Sequence, residues 1–449
     1  MPIYQVPSSI NITDYPNWDI NDEILSSFEL LDDYENRIKE IKLKNNYLRN
    51  LPIEAILNYF DSLAVYWLTD KKGEFLNNFS HLGVSFLINF IKRVNLEQIL
   101  KESLHGDIHF LDNFINIDAL NKQIMAHPRG VITHWLAGNV PVLGMISLIQ
   151  GIITKNANII KLPRENGLVL PLMASRIASF EFNFNNTIIK GSDLLDSCMF
   201  IYCDKNDRRG QESLSLNSDT RVAWGGKEAV ETVMSLPRKY GTDDVIFGPK
   251  YSFAVIGRNS FDKDQLEDIT YKLAMDASVF EQQGCNSPHT VFVENGGEVN
   301  PLNFAETLAI SMDEILKRIP KNPVSADEAY AIVNTRSEYS FSGQVFSSKG
   351  TEWTVIYSEE KGLAKACYQR IIFVRPVNNL NEILDYIEGK AHQTIGLCIN
   401  EGDKKEFAKR ATEKGIERIT ELGKMSYFDY PWDGMFPINR FVRWVSLSS

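Results

Sequence analysis

One cysteine, Cys285, lies in a short segment of small, polar and turn-forming residues, EQQGCNSPH (281–289). Helical spacing before it (264–280) and an apolar run after it, typical of a strand, predict that it sits on a turn. A thiol on such a turn is accessible to substrate, and nearby backbone N–H groups favour the thiolate, so Cys285 is a candidate nucleophile. The alternative is a buried structural cysteine, because free cysteine is among the most buried residue types.

The sequence assigns no base to this thiol. His289 follows four residues later, but that separation along a turn does not fix the geometry of the pair. His134 and His392 are equally arguable, and each of the three is more often structural than catalytic. The base therefore stays open.

Composition describes an ordinary globular protein. The 449 residues predict two to four domains at roughly 100–200 residues each. A formal charge of −11 argues against broad nucleic-acid binding, which needs a cationic face. The longest apolar run (140–153) is shorter than the ~20 residues of a membrane span, and the N-terminus carries no secretory pattern.

The chain contains five cysteines and no CxxC, which makes disulfide frameworks and zinc sites weak interpretations. They are best interpreted as reduced thiols of a cytoplasmic protein. Apart from Cys285, each lies in or beside an apolar run and is expected in the core: Cys198, Cys203, Cys367 and Cys398.

The pattern of apolar residues divides the chain. Helical spacing dominates residues 20–126, whereas short β-rich runs alternate with helical segments from about 128. This rhythm predicts a parallel sheet with right-handed crossovers, whose ligands lie at the carboxyl ends of the strands. Those ends are GNVP (138–141), KLPRE (161–165) and WGGK (224–227). A second α/β unit begins near 250, and no GxGxxG follows the first strand.

The order of the motifs is more specific than any one of them. PRGVITHWLAGNVP, NANIIKLP, TRVAWGGKEAV, IFGPKYSFAVIG and QQGCNSPH together resemble the aldehyde dehydrogenase superfamily, in register from about 128 to 400. That superfamily binds NAD(P) on a Rossmann-like domain without the GxGxxG signature. Within it, QQGCNSP, WGGK, FGPK and the terminal PWDGMFPINRFVRWVS look like the LuxC-type acyl-CoA reductases. These are the fatty-acid reductase components of bacterial luminescence systems and their non-luminous relatives.

The resemblance implies an α/β, aldehyde-dehydrogenase-like fold with two Rossmann-like α/β domains and a helical N-terminal region. The implied division has four parts. They are a mostly helical region (1–126), an NAD(P)-binding Rossmann-like domain (127–249), a catalytic α/β domain carrying the cysteine (250–425) and a C-terminal segment that packs back or forms an interface (426–449).

Site residues follow from the resemblance one at a time. Cys285 falls on the catalytic cysteine, and Asn139 matches the asparagine whose amide helps to hold the thiohemiacetal oxyanion. Lys161 matches the lysine that contacts the cofactor ribose. Gly226 matches a glycine near the cofactor at the start of a helix, whose N-terminus can face a pyrophosphate. The cofactor-binding set is completed by their neighbours Arg164, Gly225 and Lys227.

Two departures from the superfamily pattern carry information. The hydrolytic members have a glutamate that activates water, and Ile246 stands at that position. Isoleucine cannot act as a base, so an acyl group on the cysteine should be poorly hydrolysed. A second glutamate, which contacts the nicotinamide ribose, is matched by Ile372, which puts the usual nicotinamide contacts in doubt.

The resemblance implies NADPH-dependent reduction of a long-chain fatty acyl-CoA, or of an activated acyl group delivered by a partner, to the aldehyde through a Cys285 thioester. It also implies a possible acyl-protein synthetase partner, a homo-oligomer and no metal. Lys161 and Arg164 are candidates to bind a 2′-phosphate. The apolar segments within 84–100 either line an acyl tunnel or, more commonly for such faces, form core. Three alternatives stay open: an aldehyde dehydrogenase, an acyl-phosphate reductase and a catalytically silent acyl-binding subunit.

Overall fold

The computed structural model describes residues 3–7, 18–31, 33–70, 74–79, 82–117, 121–258 and 260–448. The chain divides into two compact units. Unit 1 comprises Met1–Gly248 and Met435–Ser449, and unit 2 comprises Pro249–Gly434. The four-part division drawn from the resemblance stays a prediction.

The N-terminal part of unit 1 is largely helical, as expected. Its described elements are β1 (Tyr4–Gln5), α1 (Asp22–Leu25), β2 (Glu29–Leu30), α2 (Tyr34–Asn50), α3 (Ile53–Thr69), α4 (Glu74–Phe79), α5 (Val84–Phe90), α6 (Arg93–Ser103), β3 (Ile115–Ile117) and β4 (Lys122–Pro128). The strands among them correct the helical prediction locally, because β1 and β2 extend a sheet and β3 pairs with β4. Helices α5 and α6 bury Leu87, Leu96 and Leu100 completely, which is core packing.

The remainder of unit 1 before Gly248 is the predicted alternation of strands and helices. It runs β5 (Val131–Trp135), α7 (Pro141–Ile153), β6 (Ala157–Leu162), α8 (Val169–Ala178), β7 (Glu181–Phe184), β8 (Thr187–Lys190), α9 (Gly191–Leu195), β9 (Cys198–Tyr202), α10 (Arg208–Leu216), β10 (Thr220–Trp224), α11 (Lys227–Ser235) and β11 (Asp243–Phe247). The sheet order is β11-β10-β5-β6-β9-β1-β2. Its first five strands are parallel.

The longest apolar run forms helix α7. Pro141 occupies its first turn, where a missing N–H costs nothing, and nearly all of its side chains are buried. A helix that is apolar all round belongs in a core. Within the described residues, no helix is long and apolar enough to cross a membrane.

Unit 2 is a second doubly wound sheet. Its elements are β12 (Tyr251–Ile256), α12 (Leu266–Ser278), β13 (Pro288–Glu294), α13 (Pro301–Arg318), α14 (Ala326–Tyr339), β14 (Gln344–Ser347), β15 (Thr354–Tyr357), β16 (Ile371–Val377), α15 (Asn381–Leu384), β17 (His392–Cys398), α16 (Glu401–Glu413) and β18 (Arg418–Glu421). The order is β14-β15-β16-β13-β12-β17-β18, with β14 antiparallel to its neighbour. The chain then returns to unit 1 as α17 (Pro437–Phe441) and β19 (Val442–Ser448), and β19 pairs with β4.

A buried cation joins the strands of unit 1 to their covering helices. Arg221 on β10 is fully buried. Its Nε and Nη2 donate to both carboxylate oxygens of Asp244 at 2.6 and 2.7 Å. Its Nη1 donates to Ser215 Oγ at 2.9 Å and to the carbonyls of Val233 and Leu236 at 3.1 Å. Every donor group of the guanidinium therefore has a partner, which a buried charge requires.

We expect Arg221→Met to lower the free energy of unfolding by about 3–5 kcal/mol, because Asp244 loses its buried bidentate partner and keeps the exposed Arg238, and the Leu236 carbonyl loses the guanidinium donor. Urea unfolding measures the loss. Arg208→Met is the matched control, since Arg208 is exposed and makes one i,i+4 pair with Glu212 at 2.8 Å, a contact worth about 0.5 kcal/mol. Equal stability of the two variants would contradict the structural role of Arg221.

Candidate active site

The chain enters the cysteine loop through a left-handed turn. Helix α12 ends at Ser278, so the helix predicted to reach residue 280 is two residues too long. Phe280, Glu281 and Gln282 then have φ values of 52°, 53° and 61°. For residues other than glycine, this conformation costs roughly 1–2 kcal/mol each, so other contacts must hold it.

A second left-handed turn, Tyr368–Arg370, supplies those contacts. Its three residues have φ values of 57°, 56° and 60°, and the Gln369 N–H donates to the Glu281 carbonyl at 3.0 Å. The Arg370 guanidinium, which is 1% exposed, binds the Glu281 carboxylate through Nε at 2.7 Å and Nη2 at 2.8 Å. The two turns are therefore locked together by a buried bidentate ion pair.

Gln282 completes this lock. Its Oε1 accepts from the Ile371 N–H at 2.8 Å, and its Nε2 donates to the Pro288 carbonyl at 2.9 Å and the Ile371 carbonyl at 3.0 Å. One fully buried amide thus joins the start of β16 to the start of β13. The segment between Gln282 and Pro288, which contains Cys285, is held at both ends.

Further hydrogen bonds position the cysteine itself. Ser252 Oγ donates to the Cys285 carbonyl at 2.6 Å and accepts from the Thr394 N–H at 3.1 Å. Asn286 Nδ2 donates to the Met425 carbonyl at 2.7 Å. A Cβ on Gly284 would lie 2.6 Å from Asn286 Oδ1. The glycine thus leaves room for the Asn286 side chain.

The thiol of Cys285 is half-buried, and its environment opposes ionisation. Its pKa is raised to about 12, mainly by burial and also by the nearby Asp433 carboxylate. Three groups act in the other direction: a hydrogen bond from the Gln393 side chain, the backbone N–H of Cys285 and the charge of Lys250. Backbone N–H support for the thiolate is therefore present, as expected, but burial outweighs it.

The groups around the thiol form a cluster that sequence spacing did not reveal. Gln393 begins β17 beside His392, and its Nε2 donates to Asp433 Oδ1. Lys250 Nζ pairs with Glu417 Oε2 at 3.0 Å, and both side chains are mostly buried. The polar residues Gln393 and Asp433 interrupt apolar or aromatic segments, HQTIGLC and YPWDGM. These polar residues within apolar segments were the one sequence signal that could have indicated the cluster.

None of the three histidines considered as bases acts on the Cys285 pKa. His289 is buried, with its ring centre 5.2 Å from that of Tyr251, and burial lowers its pKa to about 4. His134 lies in unit 1, where its ring nitrogens contact Ser147 Oγ and Asn158 Oδ1, and burial also lowers its pKa to about 4. The pKa of His392 is lowered, mainly by burial. Their environments are those of neutral structural histidines.

The other cysteines differ in burial. Cys203 is fully buried, as expected for the core, whereas the remaining three are half-buried: Cys198, Cys367 and Cys398. The last three lie at the ends of strands or in loops, where apolar packing is incomplete. All five cysteines are free thiols. Among the described residues, no group of three or more histidine, cysteine, aspartate or glutamate side chains is arranged to hold a metal ion.

Unit 1 gathers the predicted cofactor residues at one sheet edge. Strand β5 lies between β6 and β10, and all three are parallel. From β5 the chain continues to β6 and β9 on one side, and then crosses to β10 and β11 on the other side of β5. The crevice at such a switch point is where open α/β sheets bind ligands. Asn139 is exposed after β5, Lys161 is half-buried near the end of β6, and Gly225 and Gly226 follow β10.

The residues at this edge suit an anionic dinucleotide. Gly226 caps α11 without a side-chain hydrogen bond, and a Cβ there would meet no atom within 4 Å. The first N–H groups of α11 are thus accessible to a phosphate. Arg164 is exposed and pairs with exposed Asp22 at 3.1 Å, and Lys227 is also exposed. The pKa of Lys161 is lowered by burial, while Cys203 and Asp204 oppose that shift.

The two isoleucines that replace superfamily glutamates lie in apolar surroundings. Ile246 packs against the core of unit 1 beside Trp135 and Val230, and Ile372 is fully buried in the core of unit 2. Neither position offers a polar group for water activation or for a ribose. At Ile372, the usual glutamate contact to the nicotinamide ribose therefore has no counterpart.

We expect Arg370→Met to reduce the free energy of unfolding by about 3–5 kcal/mol, because the Glu281 carboxylate loses both hydrogen bonds from the buried guanidinium and keeps the longer one from the Asn322 N–H. Hydrogen exchange of the amides in 281–286 should accelerate at the same time, since the left-handed turn loses its clamp. Arg318→Met is the control, because Arg318 is exposed and donates to Tyr271 Oη at 2.9 Å. Unchanged exchange in the Arg370 variant would show that the ion pair does not hold the turn.

Known proteins resemble this chain in both sequence and fold. A family model described as acyl-CoA reductase (LuxC) matches residues 48–444. The long-chain acyl-protein thioester reductase of Vibrio harveyi is 27% identical over 433 residues, covering 93% of this chain and 87% of that protein. The protein of the same name from Aliivibrio fischeri is also 27% identical, covering 88% and 82%.

Solved structures with the same fold are aldehyde dehydrogenases. The NADP-dependent glyceraldehyde-3-phosphate dehydrogenase of Bacillus halodurans C-125, complexed with NADP, superposes with a TM-score of 0.63 at 13% identity over 92% of this chain and 90% of that one. An NAD-dependent benzaldehyde dehydrogenase from Corynebacterium glutamicum gives 0.59 at 14% identity, over 96% and 92%. The fold is therefore aldehyde-dehydrogenase-like, and with a match over residues 48–444 the chain belongs to the LuxC family of acyl-CoA reductases.

Proposed function

We propose that this protein reduces a long-chain fatty acyl thioester to the fatty aldehyde with NADPH, through an acyl group held on Cys285. The observation that carries the proposal is the cysteine loop. The thiol follows a strained turn, Phe280–Gln282, that buried hydrogen bonds hold in place, and Ile246 stands where hydrolytic relatives carry a base. Family membership supports the reductive direction.

The first half-reaction is acyl transfer to sulfur. Cys285 attacks the acyl carbonyl carbon, and its own backbone N–H is a donor for the oxyanion that forms. The bond from the acyl carbon to the activating group then breaks and leaves a thioester on Cys285. Covalent capture divides one difficult reduction into two easier steps. From the resemblance, we assign the Asn139 amide as a second oxyanion donor.

The second half-reaction needs a reductant, and the edge of the unit 1 sheet suits one. NADPH, when bound, supplies a hydride to the acyl carbon. Lys161, Gly225, Gly226 and Lys227 are assigned to hold its ribose and phosphates, and Arg164 its 2′-phosphate. The oxyanion then collapses, the aldehyde leaves and the Cys285 sulfur is regenerated.

The acyl donor is either acyl-CoA or an acyl group on a partner protein. The names of the Vibrio and Aliivibrio relatives favour an acyl-protein donor, delivered here by a synthetase partner. We further assign the protein to the cytoplasm as a homo-oligomer, on the family resemblance. Oxidation of an aldehyde to an acid is the weaker candidate, because Ile246 cannot activate water.

Incubation with radiolabelled long-chain acyl-CoA, without and with NADPH, tests the proposal. Label should attach to the wild type, be released by hydroxylamine and leave as aldehyde when NADPH is added. Cys285→Ala should retain no label, whereas Cys398→Ala, which removes another half-buried thiol of unit 2, should behave as wild type. If wild type and Cys285→Ala both lack label and aldehyde, acyl-CoA is not the donor, and an acylated partner protein is tested next.

Cofactor choice can be tested at Arg164. We expect Arg164→Glu to raise the KM for NADPH at least about tenfold, equivalent to roughly 1.4 kcal/mol, because a carboxylate would repel the 2′-phosphate. The KM for NADH should change little. Arg209→Glu makes the same charge change on the exposed face of α10 and serves as control. Equal increases in the KM values for NADPH and NADH would show that Arg164 does not bind the 2′-phosphate.

A further inference from the structure

Asp433 presents a buried carboxylate oxygen with no protein partner. The residue is 7% exposed and adopts a left-handed backbone conformation, with φ 47°. Its Oδ1 accepts from Gln393 Nε2, whereas Oδ2 finds no hydrogen-bond partner among the described residues. Buried polar atoms are almost always paired, so an orphan oxygen next to a reactive thiol calls for a chemical explanation.

One amide nitrogen connects this carboxylate to the reactive sulfur. Nε2 is the only donor atom of a glutamine side chain, and the Gln393 side chain hydrogen-bonds both Asp433 and the Cys285 thiol. Two acceptors on one NH2 group lie about 5–6 Å apart, given ordinary hydrogen-bond lengths. A single water spans that separation. We therefore infer that one water can join the Asp433 carboxylate to the sulfur.

The position of the shared amide is fixed by its surroundings. Gln393 is fully buried, and its Oε1 accepts from Thr394 Oγ1 at 3.3 Å. Its neighbour Thr394 is tied through Ser252 Oγ to the Cys285 carbonyl, with distances of 3.1 and 2.6 Å. The strand that carries Gln393 and the loop that carries Cys285 therefore share one buried hydroxyl. The Gln393 amide itself cannot rotate without breaking its bonds to Asp433 and Thr394 Oγ1.

The charged groups that face Asp433 leave it ionised at neutral pH and unusually basic. The pKa of Asp433 is raised to about 6, mainly by burial and to a smaller extent by Glu417. The Gln393 hydrogen bond and Lys250 oppose it. His392, next to Gln393, has its own pKa lowered and stays neutral.

We propose that Asp433 takes the proton of the Cys285 thiol as the acyl group is transferred, and that Gln393 positions the two groups for this step. The proposal rests on acyl transfer to Cys285, as put forward under the proposed function. The S–H bond breaks and the proton passes through one water to Asp433 Oδ2 while the S–C bond forms. The acyl carbon then releases the donor group as a thiolate, which takes the same proton from Asp433 and departs as a thiol.

Asp433→Asn provides a test with two readouts that move in opposite directions. Removing the negative charge lowers the pKa of the Cys285 thiol, so alkylation by iodoacetamide at pH 8 should become several-fold faster. Acylation by p-nitrophenyl butyrate, followed as the burst of nitrophenolate, should become at least about tenfold slower. In the wild type the burst rate should rise with pH through about 6, and this inflection should be absent in the variant. A purely structural loss would slow both reactions together.

Asp429→Asn is the matched control, because the same change is made four residues earlier, at an exposed carboxylate paired with Arg418 at 2.8 Å. Asp433→Glu guards against misfolding, since it keeps a carboxylate and should recover part of the burst rate and an inflection. Wild-type burst rates in Asp433→Asn, or equal slowing of alkylation and burst in both Asp433 variants, would overturn the proposal.

The ester also separates this inference from the proposed function. Nitrophenolate leaves as an anion and needs no returned proton, so the burst reports the deprotonation of Cys285 without a natural donor or NADPH. An Asp433-dependent burst with no aldehyde from acyl-CoA or an acylated partner would support the inference and refute the function. A burst that persists in Cys285→Ala would refute the inference, whatever the aldehyde assay shows.

Discussion

The cysteine loop depends on a buried ion pair between two left-handed turns. Each turn has three consecutive residues, Phe280–Gln282 and Tyr368–Arg370, in a left-handed backbone conformation that is unfavourable for residues other than glycine. The Arg370–Glu281 pair and the Gln282 amide offset that strain with charge-assisted and fully buried hydrogen bonds. The backbone strain lies within each turn, whereas the hydrogen bonds that offset it join residues far apart in the chain. The cysteine loop is therefore held in place only when unit 2 is folded.

That rigidity matters because the surroundings of the thiol are not those of a freely ionised cysteine. Burial and the Asp433 carboxylate raise the pKa of Cys285, while Gln393, Lys250 and the backbone N–H lower it by less. A thiol with this balance stays protonated at rest, which protects it from oxidation, since oxidants react with the thiolate. The acyl transfer that we propose for this thiol needs a proton acceptor at a fixed position, and the polar cluster around Gln393 lies beside the sulfur.

Ile246 favours reduction of an acyl group on Cys285 over its hydrolysis. Where hydrolytic relatives activate water, Ile246 packs into an apolar core and offers no acceptor. An acyl group on Cys285 would then persist until a hydride or a thiol removes it. In unit 1, we propose that the ends of β5 and β10 at the switch point of the sheet, with the start of α11, bind the dinucleotide that a glycine fingerprint binds in other folds.

The sequence by itself determined the fold class, the alternating elements of both units and the candidacy of Cys285, because these depend on local periodicity and on motifs that are continuous in the chain. It also predicted that Asn139, Lys161 and Gly226 follow strands, and parallel pairing brings such strand ends to one edge. It did not identify the end of α12, the pairing of β4 with β19, or the cluster of Lys250, Gln393, Glu417 and Asp433. The strand pairing and the cluster join residues far apart in the chain, and the turn that follows α12 is held by the distant Arg370. Only tertiary packing, with the burial and hydrogen bonds it creates, decided which side chains surround the thiol and how strongly they shift its pKa.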